Sequence, residues 1–370
     1  MKKIKVLMVL GNTGRGGAQT FAINVLRNID RDRFQVDFAV NEIRTNGYES
    51  EIESMGSMIH VVPFYKVYNH FSYVAAWDKM LSKYHYDIVH GHVSSSASVY
   101  LNIAKKHGCK TIAHSHSAGY RGKGLQVFIK KLFTLGAKNK ADYWFACSEL
   151  AAIRMFGRDY KRFVNYYDMP NAILTERYRY DSKTRSSIRS KHGISDGTKL
   201  YGHVGSFTAP KNHEFLFDVF SVISRKDPSA KLILAGDGEL ADKIKETIIK
   251  KNLSDKVILL GNVGNVNEYL MAMDALIFPS IFEGFPVTVI EAEAAGLYCV
   301  ISDSITKEVY VTNCVKGMPL EYGSEAWARM AQSIPEIDRI EANEIVSRTQ
   351  YNMQNCIELI MRIYQEMCEV

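Results

Sequence analysis

Short apolar runs bounded by glycine or acidic residues alternate along the chain with stretches whose apolar positions recur every three or four residues. The runs at 5–10, 34–40, 58–62, 86–90, 110–114 and 143–147 read as strands. The segments 18–28, 71–83, 94–107 and 125–138 carry the helical period. Near-continuous apolar strands separated by helices predict βαβ units and a parallel sheet covered on both faces. The plan then repeats. Strands are expected at 200–204, 231–234, 257–260, 275–278 and 298–301, with helices at 213–224, 240–251, 266–273 and 287–295. Two successive doubly wound halves predict an α/β protein of two Rossmann-like parallel-sheet domains facing across a cleft. The turn signal Pro170-Asn171-Ala172-Ile173 places the seam. The expected domains are therefore 1–175 and 176–348, with 175–199 read as a polar lead into the second sheet. A final helix is expected over 349–370, where Met353, Cys356, Ile357, Ile360 and Tyr364 share one face.

Composition narrows this picture without redirecting it. The chain has 370 residues, 46% hydrophobic and 23% charged, which excludes disorder, collagen, coiled coil and a disulfide-framed mini-domain. No apolar run reaches the roughly 18 residues that would span a bilayer. The basic N-terminus with its short apolar run reads as a first strand rather than a signal peptide. None of the six cysteines forms a CxxC pair, so buried reduced thiols in a cytoplasmic protein are expected.

Charge is more informative by location than in total. The net +6 is mild and does not argue for nucleic acid. Residues 1–180, however, carry 26 Lys and Arg against 14 Asp and Glu, while residues 181–370 carry 20 against 26. The stretch 121–140 holds Arg121, Lys123, Lys130, Lys131, Lys138 and Lys140 and no acid, with Phe128, Ile129, Leu132, Phe133 and Leu135 interleaved. It predicts a basic amphipathic helix suited to an anionic membrane surface; the alternative is a solvated helix packed on the sheet.

Candidate chemistry collects at predicted strand ends. The loop Gly11-Asn12-Thr13-Gly14-Arg15-Gly16-Gly17-Ala18-Gln19 joins a strand to a helix, where backbone amides can approach a phosphate. It is neither a P-loop, lacking Lys-Ser/Thr, nor a dinucleotide fingerprint, since Thr13 and Gln19 stand where small residues are needed. A tight turn without ligand remains the alternative. His90-Gly91-His92 and His114-Ser115-His116 each end a strand. No acidic third ligand accompanies them, so a polar pocket is expected rather than a metal. Lys211 lies in a strand–loop–helix segment, where it could face a ligand or simply solvent. The segment Glu283-Gly284-Phe285-Pro286-Val287-Thr288-Val289-Ile290-Glu291 is the sharpest signal. It sets one glutamate before a helix and one among apolar residues inside it, a placement that costs energy unless a partner is present. Asp30-Arg31-Asp32 matches the DxD pattern of metal-dependent sugar transferases but reads as a turn.

Together these residues resemble the retaining glycosyltransferases of the GT-B fold, family 4, the group of bacterial capsule and exopolysaccharide transferases. The resemblance rests on Gly16-Gly17-Ala18-Gln19, His116, Lys211-Asn212-His213, Glu283-x7-Glu291, Gly236-Asp237-Gly238-Glu239 and the stretch through Val300-Ile301-Ser302-Asp303. It implies transfer of a hexose or N-acetylhexosamine from a nucleotide sugar, expected to be a UDP-sugar, with retention and without metal or other cofactor. It implies Glu283, His116 and Lys211 at the reaction centre. Gly16, Gly17, Ser206, Asn262, Val263, Gly284, Phe285, Pro286, Val287 and Glu291 would hold the donor, with Glu291 on the ribose. His92, His114 and Arg121 are expected on the acceptor side. The acceptor implied is a saccharide linked to a polyprenyl diphosphate, met by a cytoplasmic protein held peripherally at the inner membrane face. The final helix would pack back on the first domain. One departure is Ser206, which follows Gly205 where many members carry a second diphosphate-binding arginine; Arg15 is the candidate to replace it. The competing readings are a GT-B-shaped UDP-sugar 2-epimerase and a non-catalytic sugar-nucleotide-binding subunit.

Overall fold

The computed structural model describes residues 2–116, 136 and 138–369. The chain divides into two compact units, Met1–Ala172 with Met353–Val370 and Ile173–Asn352. The division falls at Ala172/Ile173 rather than at the expected 175/176.

The first unit is built on seven strands: β1 (Ile4–Leu10), β2 (Phe34–Val40), β3 (Ile59–Val61), β4 (Ile88–Gly91), β5 (Lys110–Ser115), β6 (Tyr143–Ala146) and β7 (Tyr166–Asp168). Their order is β3-β2-β1-β4-β5-β6-β7, and every pairing is parallel. The central strands are largely buried, β4 throughout and β1 from Val6 onward, because helices cover both faces. One face lies under helix Gly17–Asn28 and the C-terminal helix Met353–Cys368. The other lies under His70–Tyr84 and Ala97–Lys106. The C-terminal helix buries Met353, Cys356, Ile357, Ile360, Ile363, Tyr364 and Met367, the stripe its sequence period predicts.

The second unit repeats the construction with β8 (Leu200–Val204), β9 (Lys231–Ala235), β10 (Val257–Gly261), β11 (Ala275–Phe278), β12 (Tyr298–Ser302) and β13 (Val315–Met318). The order is β10-β9-β8-β11-β12-β13, again all parallel. In each sheet the strand order reverses once, beside β1 in the first and β8 in the second. Crevices at the carboxyl ends of strands open at such reversals.

Some elements were not foreseen. Strands β7 and β13 are short edge strands of three and four residues, and Lys316 and Gly317 break the apolar run of β13. Helix Ser182–Lys191 lies inside the stretch read as a polar lead. Its apolar stripe is almost absent because arginines do the anchoring. Asp181 caps it by accepting from the Lys183 and Thr184 amides, while Arg185 and Arg189 donate to carbonyls in the 271–273 turn and to Asp274. The helical segment expected over 125–138, and the basic stretch 121–140 apart from residues 136 and 138–140, lie outside the described residues. Asp30-Arg31-Asp32 forms a turn, the Asp32 amide donating to Asp30 Oδ1 at 2.9 Å. All six cysteines are free thiols and five are buried. No described helix is long and apolar enough to cross a membrane.

Two buried charged groups set expectations for stability. Arg189 is fully buried and donates to the carbonyls of Ala272, Ser195 and Thr198 and to Asp274. Arg189→Leu strands those acceptors and should cost roughly 3 kcal/mol in urea unfolding; an unchanged midpoint would show that the network carries no net stability. Glu293 is also fully buried. Its Oε1 accepts from the amides of Val311 and Thr312 and from the Thr312 hydroxyl, while Oε2 has no partner among the described residues. Burial outweighs those three donors and pushes the carboxyl up to about 7. A raised folded-state value favours the protonated form, so the stability it contributes is full below about pH 4.5 and lost as pH rises through about 7. Wild type should lose on the order of 3 kcal/mol more than Glu293→Gln between about pH 5 and about pH 8. Parallel pH profiles for the two proteins would contradict this.

Candidate functional site

In the second unit, neighbouring strands β8 and β11 deliver two loops to the same sheet edge. The β8 loop runs through Gly205, Ser206 and Lys211, and the β11 loop through Pro279 to Pro286. The Ile281 amide donates to the Pro210 carbonyl at 2.8 Å and stitches the loops together. Lys211 Nζ then lies 2.7 Å from Glu283 Oε1, with both side chains largely buried. The approach falls outside hydrogen-bond alignment, so Glu283 Oε1 is ion-paired without a directed bond. Lys211 also sits 4.6 Å over the Phe278 ring. This ammonium is held by one carboxylate and an aromatic face, which leaves N–H donors for an incoming anion.

The backbone makes room for this arrangement. A Cβ on Gly205 would come within 3.1 Å of the Lys211 stem. Gly236, at φ +149°, packs on the Gly205 carbonyl so closely that a Cβ would overlap it. The Gly236 amide in turn donates to the Gly261 carbonyl at 2.9 Å, tying in the end of β10, where Asn262 is exposed and Val263 half-buried. Ser206 is exposed, its hydroxyl 3.3 Å from that of Thr208.

Helix Val287–Ala294 follows the second loop with Pro286 as its N-cap. The cap makes no side-chain bond and the first turn carries no acid, so the positive helix end is uncompensated from within. Gly284 and Phe285 lead into it, and Phe285 stacks on Tyr351 with ring centroids 5.5 Å apart. Glu291 lies inside the helix and its Oε1 accepts from the Tyr178 hydroxyl at 2.7 Å. Burial raises its carboxyl above the usual range, and the Tyr178 bond opposes that rise. Tyr178 is a site residue that sequence reasoning missed. It comes from the short helical turn Thr175–Tyr178 at the start of the unit, and no local motif marks it.

In the first unit, the loop after β1 ends in helix Gly17–Asn28, with Gly16 as an N-cap lacking a side-chain bond and no acid in the first turn. The Arg15 guanidinium lies over the Tyr48 ring at 5.2 Å and donates to the Asn46 carbonyl. The two HxH pairs come together as one stack on adjacent strands β4 and β5. His90 Nε2 meets His114 Nδ1 at 3.1 Å, and His92 Nδ1 meets His116 Nε2 at 2.7 Å. The Tyr364 hydroxyl of the C-terminal helix meets His90 Nδ1 at 2.7 Å. Phe21 closes the stack edge-on against His114. Burial holds all four imidazoles well below their usual range, His90 and His116 at about 3, so they are neutral at ordinary pH.

The expected polar pocket is therefore mostly an interior network. His90, His92 and His114 are buried and His116 is partly exposed, with His92 bonded to it and the His114 ring 3.9 Å from its ring by centroids. Nitrogens of His90, His92 and His114 lie within 4.8 Å of one another. Both His90 nitrogens are already engaged, by Tyr364 and His114, so a metal ion would have to break those bonds. Arg121 lies outside the described residues.

Each unit matches a known family model. Residues 184–349 match the model of glycosyl transferases group 1, and residues 15–159 match that of glycosyltransferase family 4. A putative glycosyltransferase of Bacillus subtilis, EpsF, is 29% identical, with 97% of this chain and 96% of that protein aligned. The capsular polysaccharide biosynthesis glycosyltransferase CapH of Staphylococcus aureus is 24% identical over 82% of each. An Escherichia coli enzyme, UDP-Gal:alpha-D-GlcNAc-diphosphoundecaprenol alpha-1,3-galactosyltransferase, is 25% identical over 66% of this chain and 64% of its own. Among solved structures, Anabaena HepE in complex with UDP and glucose superimposes with a TM-score of 0.77 at 17% identity, covering 98% of this chain and all of that one. The likeness establishes the GT-B fold.

Proposed function

Because the chain belongs to the family-4 glycosyltransferases, enzymes here of polysaccharide biosynthesis, we propose that it transfers a hexose or N-acetylhexosamine from a UDP-sugar, with retention, to a lipid-linked saccharide. The observation that carries this reading is the second unit's pairing of Lys211 with Glu283 beside an uncompensated helix N-terminus, with Glu291 inside the same helix. Glu291 has one oxygen taken by Tyr178 and offers the other to a ribose hydroxyl. Lys211 and the first-turn amides receive the diphosphate, and the charge growing on the leaving oxygen is stabilised there without a metal. Glu283 then turns from Lys211 to the transferred sugar. The C1–O bond to diphosphate breaks as the acceptor oxygen bonds to C1 on the same face, and the acceptor proton passes to the leaving diphosphate. His116, neutral and held by His92, is the first unit's candidate for contact with the acceptor. The UDP and lipid-linked acceptor readings draw support from HepE, solved with UDP and glucose, and from the galactosyltransferase whose name carries both chemistries. Such an acceptor places the protein in the cytoplasm, peripherally at the inner membrane face.

Acceptor-dependent release of UDP from a panel of UDP-sugars, with product masses, tests this directly. Epimerised sugar nucleotide without acceptor would indicate an isomerase instead, and binding without turnover a non-catalytic subunit. Glu291→Gln should raise KM for the UDP-sugar roughly tenfold or more, since a charged acceptor to ribose is lost. An unchanged KM would remove Glu291 from the donor site.

A further inference from the structure

Glu291 needs something its own helix does not supply. Val289, Ile290 and Ala292 beside it are buried apolar side chains that offer no donor. A flexible glutamate in such company would sample several rotamers. Burial would also favour its uncharged form.

Tyr178 answers both needs. Its hydroxyl donates to Glu291 Oε1 at 2.7 Å, which fixes how the carboxylate is turned. The bond also favours the ionised form, against the rise that burial imposes. Burial holds the phenol itself well above its usual range, so it stays a donor at ordinary pH. Exposed Arg177, on the same turn, is the charged side chain that adds attraction. Acids of the elements packed there turn elsewhere. Glu293 accepts from residues 311 and 312, Glu268 from Asn265, and Glu344 pairs with Arg179.

The turn Thr175–Tyr178 is in turn held in place. Buried Asn343 donates to the Thr175 carbonyl at 2.9 Å and to the Ala294 carbonyl at 2.7 Å. One amide thus ties the turn to the end of the helix that carries Glu291. Asn267 Nδ2 donates to the Arg177 carbonyl at 2.9 Å. Just upstream, the Ile173 amide donates to the carbonyl of Tyr351, the residue stacked on Phe285. Anchored at Ile173, Thr175 and Arg177, the segment delivers a stiff aromatic arm whose hydroxyl has a fixed position.

We propose that Tyr178 is a positioning residue for nucleotide recognition, holding the Glu291 carboxylate so that Oε2 is presented to the donor's ribose. The proposal rests on the donor-site reading of Glu291 and gives Tyr178 no contact with substrate. It adds that UDP affinity depends on the segment that opens the second unit, ahead of that unit's first strand.

The test is UDP binding by titration calorimetry to the full chain and its variants, between about pH 5.5 and about pH 8.5. Tyr178→Phe keeps the ring and removes the oxygen, and circular dichroism checks its fold. It should bind UDP roughly three- to tenfold more weakly than wild type at about pH 6. The gap should narrow as pH rises, because a carboxylate without its donor takes up a proton at higher pH. Protonation of UDP itself is common to both proteins and cancels in the ratio. Glu291→Ala should also weaken binding, and adding Tyr178→Phe to it should weaken binding no further. Equal affinity of wild type and Tyr178→Phe at every pH, with Glu291→Ala weakened, overturns the proposal and leaves the donor-site reading standing. A Tyr178→Phe loss that is constant with pH, or that persists in the Glu291→Ala background, overturns it as well. Unchanged affinity in Glu291→Ala removes the donor-site reading, and the proposal with it.

Discussion

The ion pair between Lys211 and Glu283 is the contact on which the functional reading turns. It links two loops that the sheet order has already made neighbours, because β8 and β11 pair directly. A lysine this buried needs a counter-charge, and Glu283 supplies it at 2.7 Å. The pairing is poorly aligned, which suits a cation that must exchange one anion for another. Gly205 and Gly236 are the backbone conditions for it, since any side chain there would displace the loop or the lysine stem.

The same economy governs the two sheets. Each is parallel, buried on both faces and reversed once in strand order, so each must place its loops and helix N-termini at one edge. The first unit uses that edge for a glycine-rich loop and a stack of neutral histidines; the second uses it for charge. Burial explains the difference: four imidazoles can give up their protons and remain hydrogen-bonded, whereas Lys211 and Glu283 satisfy each other as ions.

Much of this was readable in the sequence because the relevant spacing is local. Lys211, Glu283 and Glu291 each sit in a strand–loop–helix pattern, and the i, i+2 histidines lie on strand ends. What could not be read joins distant residues. Tyr178 reaches Glu291 across 113 positions, and Tyr364 reaches His90 across 274. Helix Ser182–Lys191 was hidden because arginine stems and carbonyl acceptors replace an apolar stripe. The exposure of Phe71 was equally invisible, since the helical period shows a stripe but not that Tyr73, Trp77, Met80 and Leu81 occupy it and leave Phe71 outside. Edge strand β13 escaped because exposed Lys316 and Gly317 break its apolar run.

The central claim is that Lys211 leaves part of its valence for a nucleoside diphosphate. The most direct measurement is UDP affinity by titration calorimetry for wild type and Lys211→Met. The account predicts affinity weaker by roughly 10- to 100-fold in the variant, the worth of a charge-assisted contact to phosphate. Equal affinity in the two proteins would contradict it.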